Sequence, residues 1–422
     1  MTDPFGRRRV RNALLGLLGA AGTLASAAAM AQTAPPFAEL FRATEDAPRQ
    51  EIIEADIARA EGLAQQARVR PNPSVSALTE NIGGQSPYNG YNRSETTIQF
   101  NQPIELGGKR SARIAAGVAG VEAAKARGVD GRLAYAYDLA RAYGAAEIAD
   151  RRVLLAEDEL EEAEEDLRVA RALVRAGKEA RLRSLQAETE TNSLRAELSA
   201  AVAERVAAYA RLSALSGQGT QFTSLAEPLL KRLDPAPRYG PLDPLQTAPY
   251  LAAKAERDAA VFRVSVAKRA ATPDVTVSVG ARRLEGDKAN ALLVGVSVPL
   301  PLFDRNRGNI AAAQADLRGA DARVEAARLE AASNIEAAMT LNEAANVRVT
   351  AAQQTLATAE EGYRLARIAY ESGKAPLIEL LAARHGLGLA RGVVLDAEAA
   401  RLDARAALAR LQGTTITGEI IQ

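Results

Sequence analysis

The sequence predicts a mainly α-helical chain with a membrane β-barrel portion, written as two tandem repeats of helix, β-hairpin, long helix and returning helix. Three observations carry that prediction. A single ungapped offset lays one half of the chain on the other, four segments alternate apolar and polar residues with period two, and two stretches, 111–176 and 309–372, run without a proline. The assembly expected from them is a trimer whose twelve strands close one barrel on an α-helical tunnel.

Of the 422 residues, 47% are hydrophobic, which argues against disorder. Aromatics reach only 4%, Trp and Cys are absent and Ala recurs throughout, a balance suited to long, closely packed helices rather than to a large globular core. The N-terminus reads in three parts: Arg7, Arg8, Arg9 and Arg11, then the apolar run from Ala13 to Leu24, then Ala29-Met30-Ala31. This is the pattern of a secretory signal over residues 1–31, with cleavage before Gln32. A membrane anchor helix is the alternative, and the Gly and Ala content with the small-residue exit argues against it. Cleavage leaves 49 basic against 51 acidic residues, a net charge near −2 that implies no nucleic-acid partner. Without Cys the chain has neither disulfides nor a thiol for lipid attachment. No later apolar run reaches the length of a spanning helix, so a membrane crossing has to be made by β-strands.

The repeat is read from one register. Pro103-Ile104-Glu105-Leu106 and Pro299-Leu300-Pro301-Leu302 lie 196 residues apart, and the same separation matches Ile114-Ala115-Ala116 with Ile310-Ala311-Ala312, Gly177-Lys178 with Gly373-Lys374, and Leu212, Leu215 and Gly217 with Leu408, Leu411 and Gly413. Matches of Ala are cheap in such a chain, but Pro, Gly-Lys and a terminal Gly in one register are not. The expected units are a first repeat over 32–235 and a second over 236–422.

Within each unit the elements follow in order. A helical stretch, Ala34 to Val69 and then Thr247 to Ala271, ends at prolines (Pro71 and Pro73; Pro273) that block its continuation. Period two follows: Val75 to Ile82, then Ile98 and Phe100 between Thr97, Gln99 and Asn101; in the second unit Val275, Val277 and Val279, then Leu292, Val294, Val296 and Val298. Turn formers fill Gly83 to Asn92 and Leu284 to Asn290. The proline-free stretches predict helices of about 95 to 100 Å at 1.5 Å per residue. Gly177 and Gly373 permit reversal, and Leu194, Leu198, Val202, Val206 and Tyr209 form the stripe of the first returning helix.

Four amphipathic strands of about nine to eleven residues have the length of tilted outer-membrane strands. They are too few to close a barrel, and an open sheet would leave unpaired backbone edges in lipid. Several chains therefore share one barrel, and three give twelve strands. The competing reading is a small antiparallel sheet on a soluble coiled coil, as in a periplasmic adaptor or scaffold.

The order of elements, the twofold repeat, Arg70-Pro71-Asn72-Pro73 before the first strand and Gln102-Pro103-Ile104-Glu105-Leu106-Gly107-Gly108-Lys109-Arg110 after the second resemble TolC-like outer-membrane factors over residues 37–413. Within that family the strings resemble the branch serving heavy-metal efflux pumps of the cobalt, zinc, cadmium and copper type. The resemblance implies a passive outer-membrane exit duct with a periplasmic tunnel, a homotrimer in contact with outer-membrane lipid. It also implies a periplasmic adaptor and, behind that, an inner-membrane pump of the RND type. A drug or small-molecule duct of the same fold remains open. Many such relatives carry a lipid on an N-terminal Cys, which this chain lacks.

No catalytic constellation is visible. The only histidine is His385, read as a helix-face residue, and with no Cys and three Met the chain lacks soft metal ligands, so no enzyme activity, cofactor or metal site is expected. The candidate sites are the two tips, Arg175-Ala176-Gly177-Lys178-Glu179 and Glu371-Ser372-Gly373-Lys374-Ala375. A plain turn would satisfy the glycines alone; the resemblance implies that Gly177, Lys178, Gly373 and Lys374 meet the adaptor. It further implies an aperture gate, with Tyr370 at the family's gating tyrosine and Glu379 at its pore-constricting aspartate. Arg183 stands at the equivalent first-copy position, an inversion of charge that leaves Arg183 and Glu379 able to pair across a closed aperture. The acidic stretch Glu157 to Asp166 covers too many angles for one stripe, so part of it faces solvent and the rest is either solvated or lines a pore. Gly107-Gly108 and Phe303-Asp304 mark strand-to-helix joints, with Asp304 or Asn306 available as a cap.

Overall fold

The computed structural model describes residues 32–45, 47–233 and 242–421, so the expected signal, 1–31, and the expected boundary between repeats at 235 and 236 lie outside the described residues. The chain opens with strand β1 (Gln32–Ala34) and two helices, α1 (Phe37–Ala43) and α2 (Pro48–Ala67). Reading 34–69 as one helical stretch was therefore wrong. Pro35 and Pro36 hold the chain out of helix before α1, and Pro48, at the start of α2, forces Ala47 into extended backbone with ψ 146.

The hairpin strands β2 (Ser74–Glu80) and β3 (Glu95–Ile104) lead into α3 (Lys109–Arg175), 67 residues long, and α4 (Arg181–Ser216), of 36. After the short β4 (Phe222–Leu225) and α5 (Leu229–Arg232) the order recurs as α6 (Ala248–Ala270), β5 (Val275–Leu284), β6 (Ala289–Ser297), α7 (Arg307–Glu371), of 65 residues, and α8 (Leu377–Gln412), of 36. At 1.5 Å per residue α3 and α7 each extend about 100 Å. Three strands have the expected nine or ten residues, whereas β2 has seven, because Pro71 and Pro73 have no N–H for the ladder just before it.

The four long strands form one antiparallel sheet in the order β2-β3-β5-β6, which joins the hairpins of the two halves through β3 and β5. A second, unforeseen sheet pairs β1 with β4 in parallel, Thr33 opposite Ser224. Beside it lies the main core, where Phe37, Leu40, Tyr143, Tyr209, Leu212, Leu229 and Leu402 meet. Gly144 lets α8 approach α3 there: a Cβ on it would run into the Leu402 side chain. The Tyr143 hydroxyl donates to the Glu227 carbonyl at 2.7 Å, and burial pushes its pKa up to about 12.

Short α5 is clasped at both ends. Glu147 of α3, 4% exposed, accepts the Leu230 N–H at 3.0 Å and an Arg151 N–H at 2.8 Å, while Arg405 of α8 donates to the Leu233 carbonyl. An anion at the N-terminal end and a cation at the C-terminal end match the helix dipole. Burial raises the Glu147 pKa, and the Leu230 N–H and Arg151 oppose that rise.

Two finer expectations need correction. The α4 stripe is not uniformly buried: Tyr209 is, but Val206 is 62% exposed, and α4 packs on α3 through Ala187, Thr191 and Leu212 instead. Neither Asp304 nor Asn306 caps α7 with its side chain. Asn306 occupies the cap position in left-handed backbone, φ 57, and its amide group reaches the Ala267 carbonyl at 2.7 Å, tying the joint to α6 rather than to the helix end.

Candidate functional site

The sheet separates its residues into two faces. Pairing puts Ala77, Ile98, Ala281 and Leu292 in one cross-strand row and Val75, Phe100, Val279 and Val294 in the next, with Val277 and Val296 beyond, so one face is an apolar band. The other carries Ser74, Asn101 and Ser278, then Ser76 and Gln99, then Thr97 and Arg282. At the loop end of this polar face Arg282 donates to Thr97 Oγ1 at 3.0 Å and to Glu95 Oε2 at 2.9 Å. An apolar face and a polar face on strands of this length suit lipid on one side and water on the other. The outer edges of β2 and β6 have no partner strand among the described residues, so the sheet is an open segment that further strands have to close.

At the opposite end of the molecule both long helices end in the same main-chain motif. Gly177, at φ +70, donates to the Val174 carbonyl at 3.0 Å and Lys178 to Leu173 at 3.0 Å; Gly373, at φ +71, donates to Tyr370 at 2.9 Å and Lys374 to Ala369 at 2.8 Å. These are Schellman caps, which place the C′ residue in the left-handed region where glycine carries no Cβ penalty. The tips lie side by side, because Leu167 and Ala170 of α3, Ala187 of α4 and Leu377, Leu380 and Leu381 of α8 form one cluster, with Tyr370 half-buried against it. Burial raises the Tyr370 pKa, and the charges of Glu179 and Asp166 add to the rise. Lys178, Lys374 and Glu379 are exposed, and half-buried Arg183 donates to Gln186 Oε1 at 3.1 Å. Among the described residues no ion pair joins Arg183 to Glu379.

Sequence reasoning missed the most buried charge near the tips. Arg384 of α8 is 6% exposed and bridges two carboxylates, Asp166 of α3 and Glu190 of α4. Burial raises the Asp166 pKa, with Arg384 opposing and Glu190 reinforcing the rise. A signal was available: Leu377, Leu380, Leu381 and Leu387 lie at core spacing on α8, and Arg384 falls on the same stripe, where a charge requires buried partners. The bridge also divides the acidic stretch. Glu159, Glu162 and Asp166 are half-buried toward the seam with α8, and Glu157, Asp158, Glu161, Glu164 and Glu165 are exposed. His385, beside Arg384, is exposed along the groove between α4 and α8. Among the described residues no group of three or more His, Cys, Asp or Glu side chains is placed to hold a metal ion.

Residues 44–218 and 245–414 match the family described as outer membrane efflux protein. The chain belongs to that family. It is 39% identical over 391 residues to the nickel-cobalt-cadmium resistance protein NccC of Alcaligenes xylosoxydans xylosoxydans, covering 92% of this chain and 89% of the relative. It is 33% identical over 337 residues to the cobalt-zinc-cadmium resistance protein CzcC of Cupriavidus metallidurans, covering 78% of each. Among solved structures its fold is similar to the outer membrane protein VceC of Vibrio cholerae, with TM-score 0.73, 22% identity and coverage of 90% of this chain and 96% of that one. It is also similar to CusC, with TM-score 0.77, 17% identity and coverage of 90% and 92%. The resemblance to TolC-like outer-membrane factors read in the sequence therefore holds. Membership makes this outer-membrane efflux protein a transport duct rather than an enzyme, seated in the outer membrane with a tunnel in the periplasm.

Proposed function

We propose that this chain is one subunit of a trimeric, passive exit duct for heavy-metal cations. Its two repeats, 32–235 and 236–422, each contribute one hairpin to the barrel and one to the tunnel. The open, two-faced, four-stranded sheet carries this reading: its free β2 and β6 edges need partners in lipid, and a neighbouring copy can supply each with the other. The resistance proteins to which the chain is similar are named for nickel, cobalt, cadmium and zinc, which favours those cations as cargo. Because no metal-ligating side chains cluster among the described residues, ions pass hydrated, and selection and energy come from an inner-membrane pump of the RND type reached through a periplasmic adaptor. The tip residues Gly177, Lys178, Gly373 and Lys374 form the adaptor contact, and Arg183, Tyr370 and Glu379 form the aperture gate. Exposed lysines on a reversal already completed by main-chain bonds support the first assignment, and the position of Tyr370 on the cluster shared by both tips supports the second. The test is detergent extraction of outer membranes followed by sizing, together with cobalt, zinc and cadmium efflux from cells lacking the chain. A heat-modifiable trimer and metal efflux restored by the wild-type gene are expected. A soluble periplasmic monomer would overturn the duct, and normal metal efflux without the chain would overturn the cargo.

A further inference from the structure

The apolar face of the sheet continues beyond the sheet itself. Along β6 it runs through Leu292, Val294 and Val296, past Ser297 the alternation carries on through Val298 and Leu300, and the chain then bends at the adjacent Leu302 and Phe303. These last residues are bare: Leu300 is 74% exposed, Leu302 67% and Phe303 99%. Pro299 and Pro301 have no N–H, and the Leu302 N–H is bonded to the Leu300 carbonyl at 2.9 Å, so the segment presents few free donors to a medium that cannot accept them.

Its reach fits the membrane. An outward band about 25 Å tall, crossed by strands tilted about 40° at about 3.3 Å per residue, takes about ten residues of strand. On β6 the band begins at Leu292, one row below the polar row of Thr79, Thr96, Arg283 and Asn290. About ten residues from Leu292 end at Leu302, whereas β6 stops at Ser297, about half-way. The counterpart joint in the first repeat is built otherwise. Gly107 stands where the second has Phe303, at φ +68 and so close to Thr272 that a Cβ would lie 2.8 Å from its hydroxyl oxygen.

Charge gathers at the same level. Arg70, Arg110, Lys268, Arg269, Arg305 and Arg307 flank the strand-to-helix joints and make no ion pair among the described residues; Arg110 and Arg269 donate only to the carbonyls of Arg68 and Gly107. The nearest carboxylates are engaged, Asp274 by Lys109, Glu105 by Arg113 and Asp304 by the Asn306 N–H. Unneutralised cations below an apolar projection match the phosphates of a phospholipid leaflet.

We propose that Val298–Phe303 is an apolar hook inserted into the periplasm-facing leaflet of the outer membrane, and that the surrounding arginines and Lys268 hold the phosphates of anionic phospholipids. The proposal rests on the reading of the sheet's apolar face as lipid-facing. Because the chain has no Trp, Phe303→Trp introduces a single reporter into the full-length protein, and Val294→Trp marks the middle of the apolar face. Both variants are reconstituted into phosphatidylcholine and phosphatidylglycerol vesicles in which one or the other lipid is brominated near the headgroup end of its acyl chains. Phe303→Trp should emit to the blue of aqueous tryptophan, lose emission about twofold to brominated lipid and resist iodide. Quenching should be stronger with brominated phosphatidylglycerol, and Arg305→Gln with Arg307→Gln should abolish that preference. Quenching by iodide alone would place the hook in water. Blue emission untouched by either quencher would bury it against a neighbouring copy. Either result overturns the proposal, and equal quenching by the two brominated lipids overturns its headgroup part. If Val294→Trp also escapes brominated lipid, the lipid-facing reading of the sheet fails; if only Phe303→Trp escapes, the hook fails alone.

Discussion

Replacing Arg384 by methionine should loosen the tips without disturbing the barrel. The substitution keeps the apolar stem of the side chain but removes the guanidinium, leaving Asp166 and Glu190 facing each other without their shared cation. Breaking a fully buried pair costs about 3–5 kcal/mol, but these carboxylates are 25% and 27% exposed, so water relieves part of the penalty and about 2–3 kcal/mol is expected. If the cost falls on local opening, amide exchange within 160–195 and 377–395 should accelerate about 30- to 140-fold, at 1.4 kcal/mol per tenfold. Strand amides in β3 and β5 should be unaffected. Adding Asp166→Asn and Glu190→Gln removes the stranded charges and should restore exchange to within about tenfold of wild type, since neutral replacement of a whole buried network is close to balanced. The measurement is hydrogen–deuterium exchange by mass spectrometry on detergent-solubilised protein. Wild-type exchange in Arg384→Met, or a triple variant as loose as the single one, would refute the bridge as the fastening between α8 and the first hairpin.

Three further predictions concern the gate, the core and the clasp on α5. Glu379→Ala, Arg183→Ala and their combination with Tyr370→Phe should raise single-channel conductance in planar bilayers, and unchanged conductance in the triple variant would mean that the constriction lies elsewhere. Gly144→Val should lower stability by about 1–3 kcal/mol through overpacking against the buried Leu402 side chain; Leu402→Ala in the same chain should recover part of the loss, and a melting temperature unmoved by Gly144→Val would contradict the close approach of α3 and α8. Glu147 has a raised folded pKa, so its proton is bound more tightly in the fold and its contribution to stability is present at low pH and lost as pH rises through the folded value. Between neutrality and the ordinary carboxylate value of 4.5, wild type should therefore gain on Glu147→Gln as pH falls, and a constant difference in melting temperature over that window would count against it.

The long helices and the strands were legible because each imposes a period on many residues at once, and the tip reversals because only glycine sits easily at φ near +70. The pairing of β1 with β4 was not, since three or four residues meeting in parallel across such a separation leave no periodic trace. The late start of α1 was in plain view at Pro35 and Pro36, and its break from α2 at Pro48. The α4 stripe failed for another reason. On a helix with two flanks to cover, apolar periodicity does not say which flank the same chain covers, and Val206 is left for a surface outside it. Arg384 was legible only by treating a charge on a core stripe as a demand for partners rather than as an interruption.

The tip caps have a consequence for how such a duct can change over time. Each reversal is completed by a glycine and two main-chain hydrogen bonds, and Lys178 and Lys374 contribute only their backbone N–H to it. Their ammonium groups have no part in shaping the hairpin, and beside them only the Ser372 hydroxyl bonds a cap carbonyl, that of Ala369 at 3.1 Å. The outermost rim of the tunnel is thus a surface whose lettering can be rewritten residue by residue while the shaft behind it stays the same. If the tips are the adaptor contact proposed above, a lineage that acquires a new pump can refit this duct by exchanging a handful of tip side chains, with no refolding and no altered bore.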